Sequence, residues 1–425
     1  MLECCTDKKE VRVDLKRNRL EDDDVLELPL AVYAMKRTHT EPEVHIEISA
    51  DEPLAPSYSD IEECPTIQLM NSDMKRDPLE FFINLERLYE EYGAVKLVAS
   101  DGWNPPFTFR YVDKGITTRI QVLQQLSEGK PFEQKVEAYS IKKFESFARD
   151  FQSSYKYKTS PTGTNAEELD ESEFWSLVAD PQFKNLKVKV EYAADLPVSK
   201  YGSGFPVVSQ ANWKDADFEY ENNFYNLNNV YKSSLSMLKV IDLKGEKISG
   251  VTSPWVYMGM KFASFCWHVE DLYINSLNYN HKGSTKTWYI VPAKHKEDFD
   301  RFVREKFSKQ IESKPDLLHR ITLMIDPLEL IASGIKVYKI RQTERSYVCT
   351  FSKVYHAGFS HGFNVGEAVN YVTPLSFPHM REACKSYEQC LGKKMAIFPL
   401  EWVTYENYIN RELYTNILPA YQAIV

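Results

Sequence analysis

Nowhere do the 425 residues run apolar for the roughly 18 positions that a membrane-spanning helix requires. The opening residues, MLECCTDKKEVRV, also lack the apolar h-region of a signal peptide. Both absences predict a soluble chain with no membrane partner. The seven cysteines (Cys4, Cys5, Cys64, Cys266, Cys349, Cys384 and Cys390) form no CxxC pair and show no regular spacing. That excludes a cysteine-built zinc module and a secreted disulfide framework, and it predicts reduced, intracellular thiols. Positive charge is not in excess either. With 52 Lys and Arg against 61 Asp and Glu the formal charge is −9, so no strong intrinsic DNA binding is expected and a basic partner would be attracted instead. No internal repeat and no low-complexity tract is visible.

What is present is ordinary globular composition, 43% hydrophobic and 27% charged, in a chain long enough for one large domain or two to three smaller ones. Aromatic residues reach 13%, which favours β-rich structure and ring-lined pockets, or simply a well-filled core. Lys8, Lys9, Arg12, Lys16, Arg17 and Arg19 form a basic stretch that reads as a nuclear address or as solvated surface.

Residues 1–60 alternate basic and acidic runs without a period of 2 or 3.6 and are expected to be disordered. CPTIQL reads as a short extended segment. A helix is predicted over LEFFINLERLYEEY, with Asp77 as cap, Pro78 at its first position, Glu80 completing a capping box and Gly93 as its stop. AVKLVAS then reads as a strand and GWNPPF as a turn. Residues 109–170 are expected to be a helical connector (IQVLQQL, IKKFESFARDFQ) ending in a surface loop, KTSPTGTNAEELDES. From FWSLV onwards short β-type runs dominate: LKVKVEYAAD, SPWVYMGMKFASFCWHVED, LYINSLNYNH, KTWYIVPA, IKVYKIRQ, SYVCTFSKVYHAG and EAVNYV. One helix, EDFDRFVREKFSKQI, clearly interrupts them. The pattern is mainly β, a sandwich or barrel, with a cupin-like jelly roll among the options.

His268 and Glu270 are two apart in a β-type run, so alternation places both on one face, and His356 stands at the end of a later run. Two imidazoles and one carboxylate on one face make the facial set suited to non-haem iron(II), although zinc accepts the same donors.

The stretches FCWHVED, NYNHKGSTKTWY and VYHAGFSHGFNVGEAVNYV, in that order, resemble a JmjC domain. CPTIQL, DPLEFF, YGAVKLV and GWNPPF resemble its companion JmjN segment. EFWSLV, VEYAAD, YGSGFP and ISGVTSPWVYMGMKFASFCWHVED are similar to the JARID subgroup of histone lysine demethylases, which act on lysine 4 of histone H3. The resemblance spans roughly residues 60–390 and divides the chain into a 1–60 N-terminal segment, JmjN at 61–108, the connector at 109–170, a JmjC catalytic region at 171–390 (core 222–388) and a helical tail at 391–425. It implies a double-stranded β-helix with surrounding helices and a small α/β JmjN segment.

The resemblance further implies iron(II) held by His268, Glu270 and His356, with 2-oxoglutarate and dioxygen as cosubstrates. Lys286 matches the lysine that pairs with the distal carboxylate of 2-oxoglutarate. Tyr192, Ser276 and Asn278 match further polar contacts to it, and Phe265 and Trp288 match rings walling the pocket. Tyr257, Ala368 and Asn370 match the methyl-ammonium pocket, and Asp195 is either an acidic contact for a basic tail or a turn residue. The implied reaction hydroxylates an N-methyl carbon with loss of succinate, and the hemiaminal collapses to formaldehyde. No nitrogen lone pair is needed, so trimethyl-lysine is an allowed substrate. A nuclear location, the histone H3 tail as partner and chromatin-associated recruiting proteins follow.

Some features depart from the subgroup. The stretch between Thr108 and Phe174 contains no cysteine, so no zinc-bound PHD reader and no ARID module is expected there, and Cys384 and Cys390 are too few for the zinc module that follows JmjC. Lys282 stands where the subgroup has Trp, Thr285 replaces a proline, and Tyr225 replaces a Trp. SHGFN resembles the subgroup acting on lysines 9 and 36 equally well. A side-chain hydroxylase and a catalytically silent chromatin scaffold are the competing functions.

Overall fold

A computed structural model describes residues 57–107, 109, 115–135, 138–154, 166–207, 218–239, 247–389, 394–400 and 402–403, together with the backbone of two short strands. Those strands, β1 (Val11–Val13) and β2 (Val44–Ile46), pair in parallel. The remainder of the 1–60 segment up to residue 56, and most of the expected helical tail at 391–425, lie outside the described residues.

Two sheets carry the fold. One has nine strands in the order β3-β4-β13-β10-β15-β8-β7-β5-β6. Its members are β3 (Thr66–Gln68), β4 (Ala94–Val98), β5 (Arg119–Val122), β6 (Glu133–Gln134), β7 (Lys189–Pro197), β8 (Trp255–Gly259), β10 (Asn275–Gly283), β13 (Ser346–Thr350) and β15 (Asn364–Tyr371). The other has four, in the order β12-β11-β14-β9, from β9 (Ser264–His268), β11 (Lys286–Val291), β12 (Tyr338–Gln342) and β14 (Tyr355–Ser360). This is the cupin-like jelly roll, mainly β with helices on the outside. Successive strands β8 to β15 alternate between the sheets in part, as a double-stranded barrel requires.

Alternation along β11 shows how the barrel is filled. Tyr289 turns towards helix α3 (Ala166–Ala179), where its hydroxyl donates to Glu171 at 2.7 Å and accepts from Trp175 Nε1 at 2.7 Å. Trp288 faces the other way, against Phe265 and His356. There its Nε1 donates to Gln342 Oε1 at 2.9 Å, and Gln342 Nε2 donates to Asn278 Oδ1 at 3.1 Å, so a hydrogen-bonded chain crosses from one sheet to the other.

Helix α1 (Leu79–Leu88) forms where an amphipathic stripe was expected, with Asp77 Oδ1 accepting from the Leu79 N–H at 3.1 Å. It ends before YEEY, and Gly93 takes a left-handed φ of +78° just ahead of β4, a backbone state that costs glycine nothing. Four corrections apply to the other elements. IQVLQQL is not a helix: Arg119–Val122 is a strand paired with Lys189–Tyr192, and a 3-10 turn follows at Leu123–Glu128. The expected loop sequence AEELDES opens α3, and Asp170, Glu171 and Glu173 are buried there. SYVCTFSKVYHAG breaks into β13 and β14 around Lys353 (φ +65°), which places His356 second in a new strand and not at the end of a run. EDFDRFVREKFSKQI divides at Phe307, and a further helix, Pro327–Ala332, also interrupts the strands.

One polar residue sits on the apolar face of α1. Glu86 is buried among Asn275, Ser352 and Thr373. Burial pushes its carboxyl up to about 7 against the pull of those hydrogen bonds. A carboxyl raised on folding holds a proton that the unfolded chain has lost, so stability falls as pH rises from about 4.5 to 7. Glu86→Gln is expected to match the parent at pH 5 and exceed it by about 3 kcal/mol above pH 8, from about 1.4 kcal/mol per pH unit. Urea midpoints at the two pH values check this, and parallel profiles would contradict it.

Candidate active site

His268 ends β9 and His356 lies in β14, and the two are register partners in an antiparallel ladder. Direct pairing sets the imidazoles side by side, with ring centres 4.2 Å apart. Glu270 lies beyond the strand end in extended backbone (φ −60°, ψ 152°), so alternation still brings its side chain to the same side. Its Oε1 is 3.5 Å from His356 Nε2, and the donor atoms of all three residues lie within 4.8 Å of one another. Among the described residues this is the sole His/Cys/Asp/Glu group with that spacing.

The backbone immediately after Glu270 is strained. Leu272 and Tyr273 are both left-handed, φ +55° and +54°, a conformation costing about 1–3 kcal/mol each in residues of this kind. Surrounding contacts hold it: the Leu272 N–H donates to Tyr387 Oη at 2.8 Å from the helix Phe377–Gln389, and the Lys353 N–H donates to the Tyr273 carbonyl at 2.9 Å.

Each imidazole is oriented by its own strand. His268 Nδ1 lies 2.7 Å from the Cys266 carbonyl and His356 Nδ1 lies 3.2 Å from the Val354 carbonyl. A carbonyl only accepts, so each Nδ1 carries the proton and each Nε2 presents its lone pair. Burial and the neighbouring His356 pull His268 down to about 4, so it is neutral at pH 7. Burial pushes the Glu270 carboxyl up, but its polar surroundings, the two facing imidazoles and the nearby Asn370 amide, outweigh that and hold the group below the usual carboxylate range, ionised. Lone pairs directed by carbonyl-bound Nδ1–H groups, beside an ionised carboxylate, fit a divalent metal such as iron(II).

A cavity of about 530 Å³ opens beside these residues. Its wall includes Tyr192, Asp195, Tyr257, Phe265, His268, Glu270, Ser276, Ala368 and Asn370. Lys286, Asn278, Trp288 and His356 are not part of that wall; the first, third and fourth pack around Phe265, which is. Lys286 opens a strand, where a lysine is usually at the surface, yet it is 2% exposed. Burial lowers its pKa to about 8, and no carboxylate among the described residues pairs with it. A Cβ added at Gly366 would lie 3.6 Å from Asn278 Oδ1 and 3.7 Å from Lys286 Nζ, so both polar groups converge on that glycine. A buried cation with no carboxylate beside it among the described residues fits a carboxylate ligand, so the residues present also fit 2-oxoglutarate.

Tyr192 and Tyr257 stack with ring centres 6.2 Å apart. Burial, then the Asp195 carboxylate, push both phenols well up, so they stay protonated. Asp195 is itself in a left-handed conformation (φ +55°), within the irregular register between Ala193 and Leu196, and it ion-pairs with Arg119. Asp195 thus sits at an irregularity inside β7 and not in a turn, with its carboxylate at the cavity wall.

Several partners escaped the sequence reading. Gln342 joins Trp288 to Asn278, Thr350 bonds Ser276 at 2.6 Å, and Arg119 neutralises Asp195. His319, Arg320, Ile321 and Lys394 reach the cavity from loops far along the chain. None carried a local signal; even Gln342 ends a strand, YKIRQ, that already holds a lysine and an arginine.

Fold and donors together define a class, the jelly-roll proteins that gather two histidines and one carboxylate in one barrel. Residues 255–371 match the family described as "JmjC domain, hydroxylase". That segment of the chain is similar to a JmjC domain. The chain is 34% identical over 346 residues to "Lysine-specific demethylase JMJ703" of Oryza sativa subsp. japonica, covering 71% of this chain and 27% of that protein. It is 36% identical over 287 residues to "Lysine-specific demethylase 5D" of Homo sapiens, covering 65% of this chain and 18% of that protein. With "Lysine-specific demethylase 5B" of Gallus gallus it shares 38% identity over 257 residues, 60% of this chain and 16% of the relative. The chain thus spans about a quarter or less of the length of these relatives.

Proposed function

We propose that this protein is an iron(II)- and 2-oxoglutarate-dependent dioxygenase that demethylates trimethyl- and dimethyl-lysine on histone H3, with lysine 4 the favoured target, and that it acts in the nucleus. The observation that carries this reading is the pairing of His268, Glu270 and His356 with a buried Lys286 that has no carboxylate partner among the described residues, in one barrel. A zinc site alone would account for the first three and leave the buried lysine without a purpose.

In this reading His268, Glu270 and His356 hold the metal and Lys286 neutralises the distal carboxylate of the cosubstrate. Ser276, Asn278 and Tyr192 supply further polar contacts, and Phe265 and Trp288, whose ring centres are 4.5 Å apart, keep water from the inner face. Iron(II) with 2-oxoglutarate and dioxygen supplies, when bound, the oxidising chemistry that hydroxylates an N-methyl carbon. Tyr257 and Tyr192 offer neutral aromatic faces and oxygens to a methylated ammonium, which suits a cation that donates no hydrogen bond. Ala368 and Asn370 shape the far side of that pocket. Asp195, already paired with Arg119, adds acidic oxygen at the mouth without leaving an isolated buried charge.

Mass spectrometry of H3 peptides trimethylated at lysine 4, 9 or 36, incubated with the protein, iron(II), ascorbate and 2-oxoglutarate, tests the proposal. Selective loss of methyl groups from the lysine-4 peptide is the expected result. Loss from the lysine-9 or lysine-36 peptide instead would reassign the target, and no loss from any peptide while metal and cosubstrate bind would point to a side-chain hydroxylase, a partner-dependent enzyme or a silent scaffold.

A further inference from the structure

Of the four glycines in the described strands, three are required by what surrounds them. A Cβ at Gly259 would lie 2.6 Å from Ser360 Oγ, and one at Gly358 would lie 2.1 Å from the Thr287 carbonyl oxygen. At Gly283, where φ is +99°, a Cβ would lie 2.2 Å from the Phe363 carbonyl oxygen. Gly366 is the exception. It lies inside β15, which pairs with β8 on one side and β10 on the other, and its φ is not in the left-handed region. A Cβ there would meet nothing closer than the Tyr279 carbonyl oxygen at 3.4 Å, an ordinary contact. Neither conformation nor packing in the free protein therefore calls for glycine at this position, and in a strand interior glycine is less stable than alanine.

The space that the missing side chain leaves lies in the cosubstrate site. Alternation puts Gly366 on the same face of β15 as Ala368 and Asn370, both of which line the cavity, so this row continues from the cavity wall to Lys286. The Cβ position is 3.4 Å from the Tyr279 carbonyl oxygen, 3.6 Å from Asn278 Oδ1 and 3.7 Å from Lys286 Nζ. Asn278 Oδ1 is fixed there by the hydrogen bond it accepts from Gln342 Nε2 at 3.1 Å. These distances choose the occupant. A water at that point would be beyond hydrogen-bond reach of all three atoms, and a carboxylate oxygen would face two acceptor oxygens. A carbon bearing hydrogens fits, because C–H groups approach oxygens at about 3.3–3.6 Å.

We propose that Gly366 sets the length of dicarboxylate that the cosubstrate site accepts, and that the space it leaves takes the additional methylene of a 2-oxo acid one carbon longer than 2-oxoglutarate. The inference rests on the reading of Lys286 as the partner of the distal carboxylate. The longer chain bows into the notch beside the ammonium, so its distal carboxylate stays on Lys286 while its 2-oxo acid end stays at the metal ligands. An alanine at this position fills the notch with its own Cβ. The longer acid must then buckle against close-packed walls or leave Lys286, whereas 2-oxoglutarate, which does not use the notch, is unaffected.

The test is calorimetry on the manganese(II)-loaded full chain, titrated with 2-oxoglutarate and, separately, with 2-oxoadipate, its homologue with one more methylene. The parent is expected to bind the two acids within about fivefold of each other, less than the tenfold or more that a closed site exacts for one methylene. Gly366→Ala should bind 2-oxoglutarate within about threefold of the parent and 2-oxoadipate at least about tenfold more weakly than the parent does. Its manganese(II) affinity should be unchanged and its thermal midpoint no lower, because the added Cβ meets only ordinary contacts and alanine restricts the unfolded chain. The parent titrations decide by themselves whether the room exists, and the variant decides whether Gly366 provides it. Rejection of 2-oxoadipate by the parent by more than about tenfold would overturn the proposal, as would a variant that keeps both affinities or loses both equally. A parent that binds manganese(II) but neither acid would instead remove the cosubstrate reading beneath it.

Discussion

Replacing His268 with alanine is expected to abolish turnover, by at least about three orders of magnitude, while the fold survives. The ring contributes one of three donors, and a site left with His356 and Glu270 has two. Removing a group that merely orients a ligand costs 10–100-fold in metal affinity, so removing a ligand costs more. The fold should tolerate the change because His268 closes its strand and is only half-buried, so the expected loss is about 1–2 kcal/mol. Manganese(II) affinity, demethylation rate and thermal midpoint measured on the same preparation separate these effects. An unchanged rate in the variant would refute the assignment of His268, whereas a collapsed thermal midpoint would mean that the imidazole pair is part of the framework.

Lys286→Ala should raise the 2-oxoglutarate requirement about 10²–10³-fold, with little effect on manganese(II) binding. A carboxylate left buried without its cation costs about 2–5 kcal/mol, and each 1.4 kcal/mol is tenfold in affinity. The parent carries a second signature. Burial lowers Lys286 to about 8 in the free protein, and an anion beside it raises that value, so binding takes up a proton. The affinity for an unreactive 2-oxo dicarboxylate analogue should then be flat below pH 8 and fall by up to about tenfold per pH unit above it. Calorimetry with the manganese(II)-loaded protein checks both halves. Normal saturation of Lys286→Ala would mean that another group receives the distal carboxylate, and a flat pH profile in the parent would mean that Lys286 is not the titrating cation.

These expectations converge on the same physical feature. Polar groups in the barrel are either held by several partners, as Asn275 and Gln342 are, or left poised for a ligand, as Lys286 is. The first kind gives rigidity, and the second gives binding. The strain at Leu272 and Tyr273 has the same logic, because the turn that aims Glu270 is tolerated only where Tyr387 and Lys353 hold it in place.

The sequence by itself determined the β-rich class, the stripe of α1, the placement of His268 and Glu270 on one face and, through motif resemblance, the residues that the barrel gathers. These are local properties: period, capping, spacing of residue types. It misjudged IQVLQQL, where long-range pairing with Lys189–Tyr192 overrode a helix-like pattern, and AEELDES, whose acids looked exposed because their buried partners are distant in the chain: Lys261 and His361 for Asp170, and Lys339 and Tyr289 for Glu171. Only the tertiary structure decided that His356 is the register partner of His268, that Lys286 is buried rather than exposed, and that Glu86 meets Asn275, Ser352 and Thr373 in the core. Each of these depends on strands or helices separated by tens of residues coming into contact. Burial, which sets charge state and exposes the cost of an unpaired group, exists only after they do.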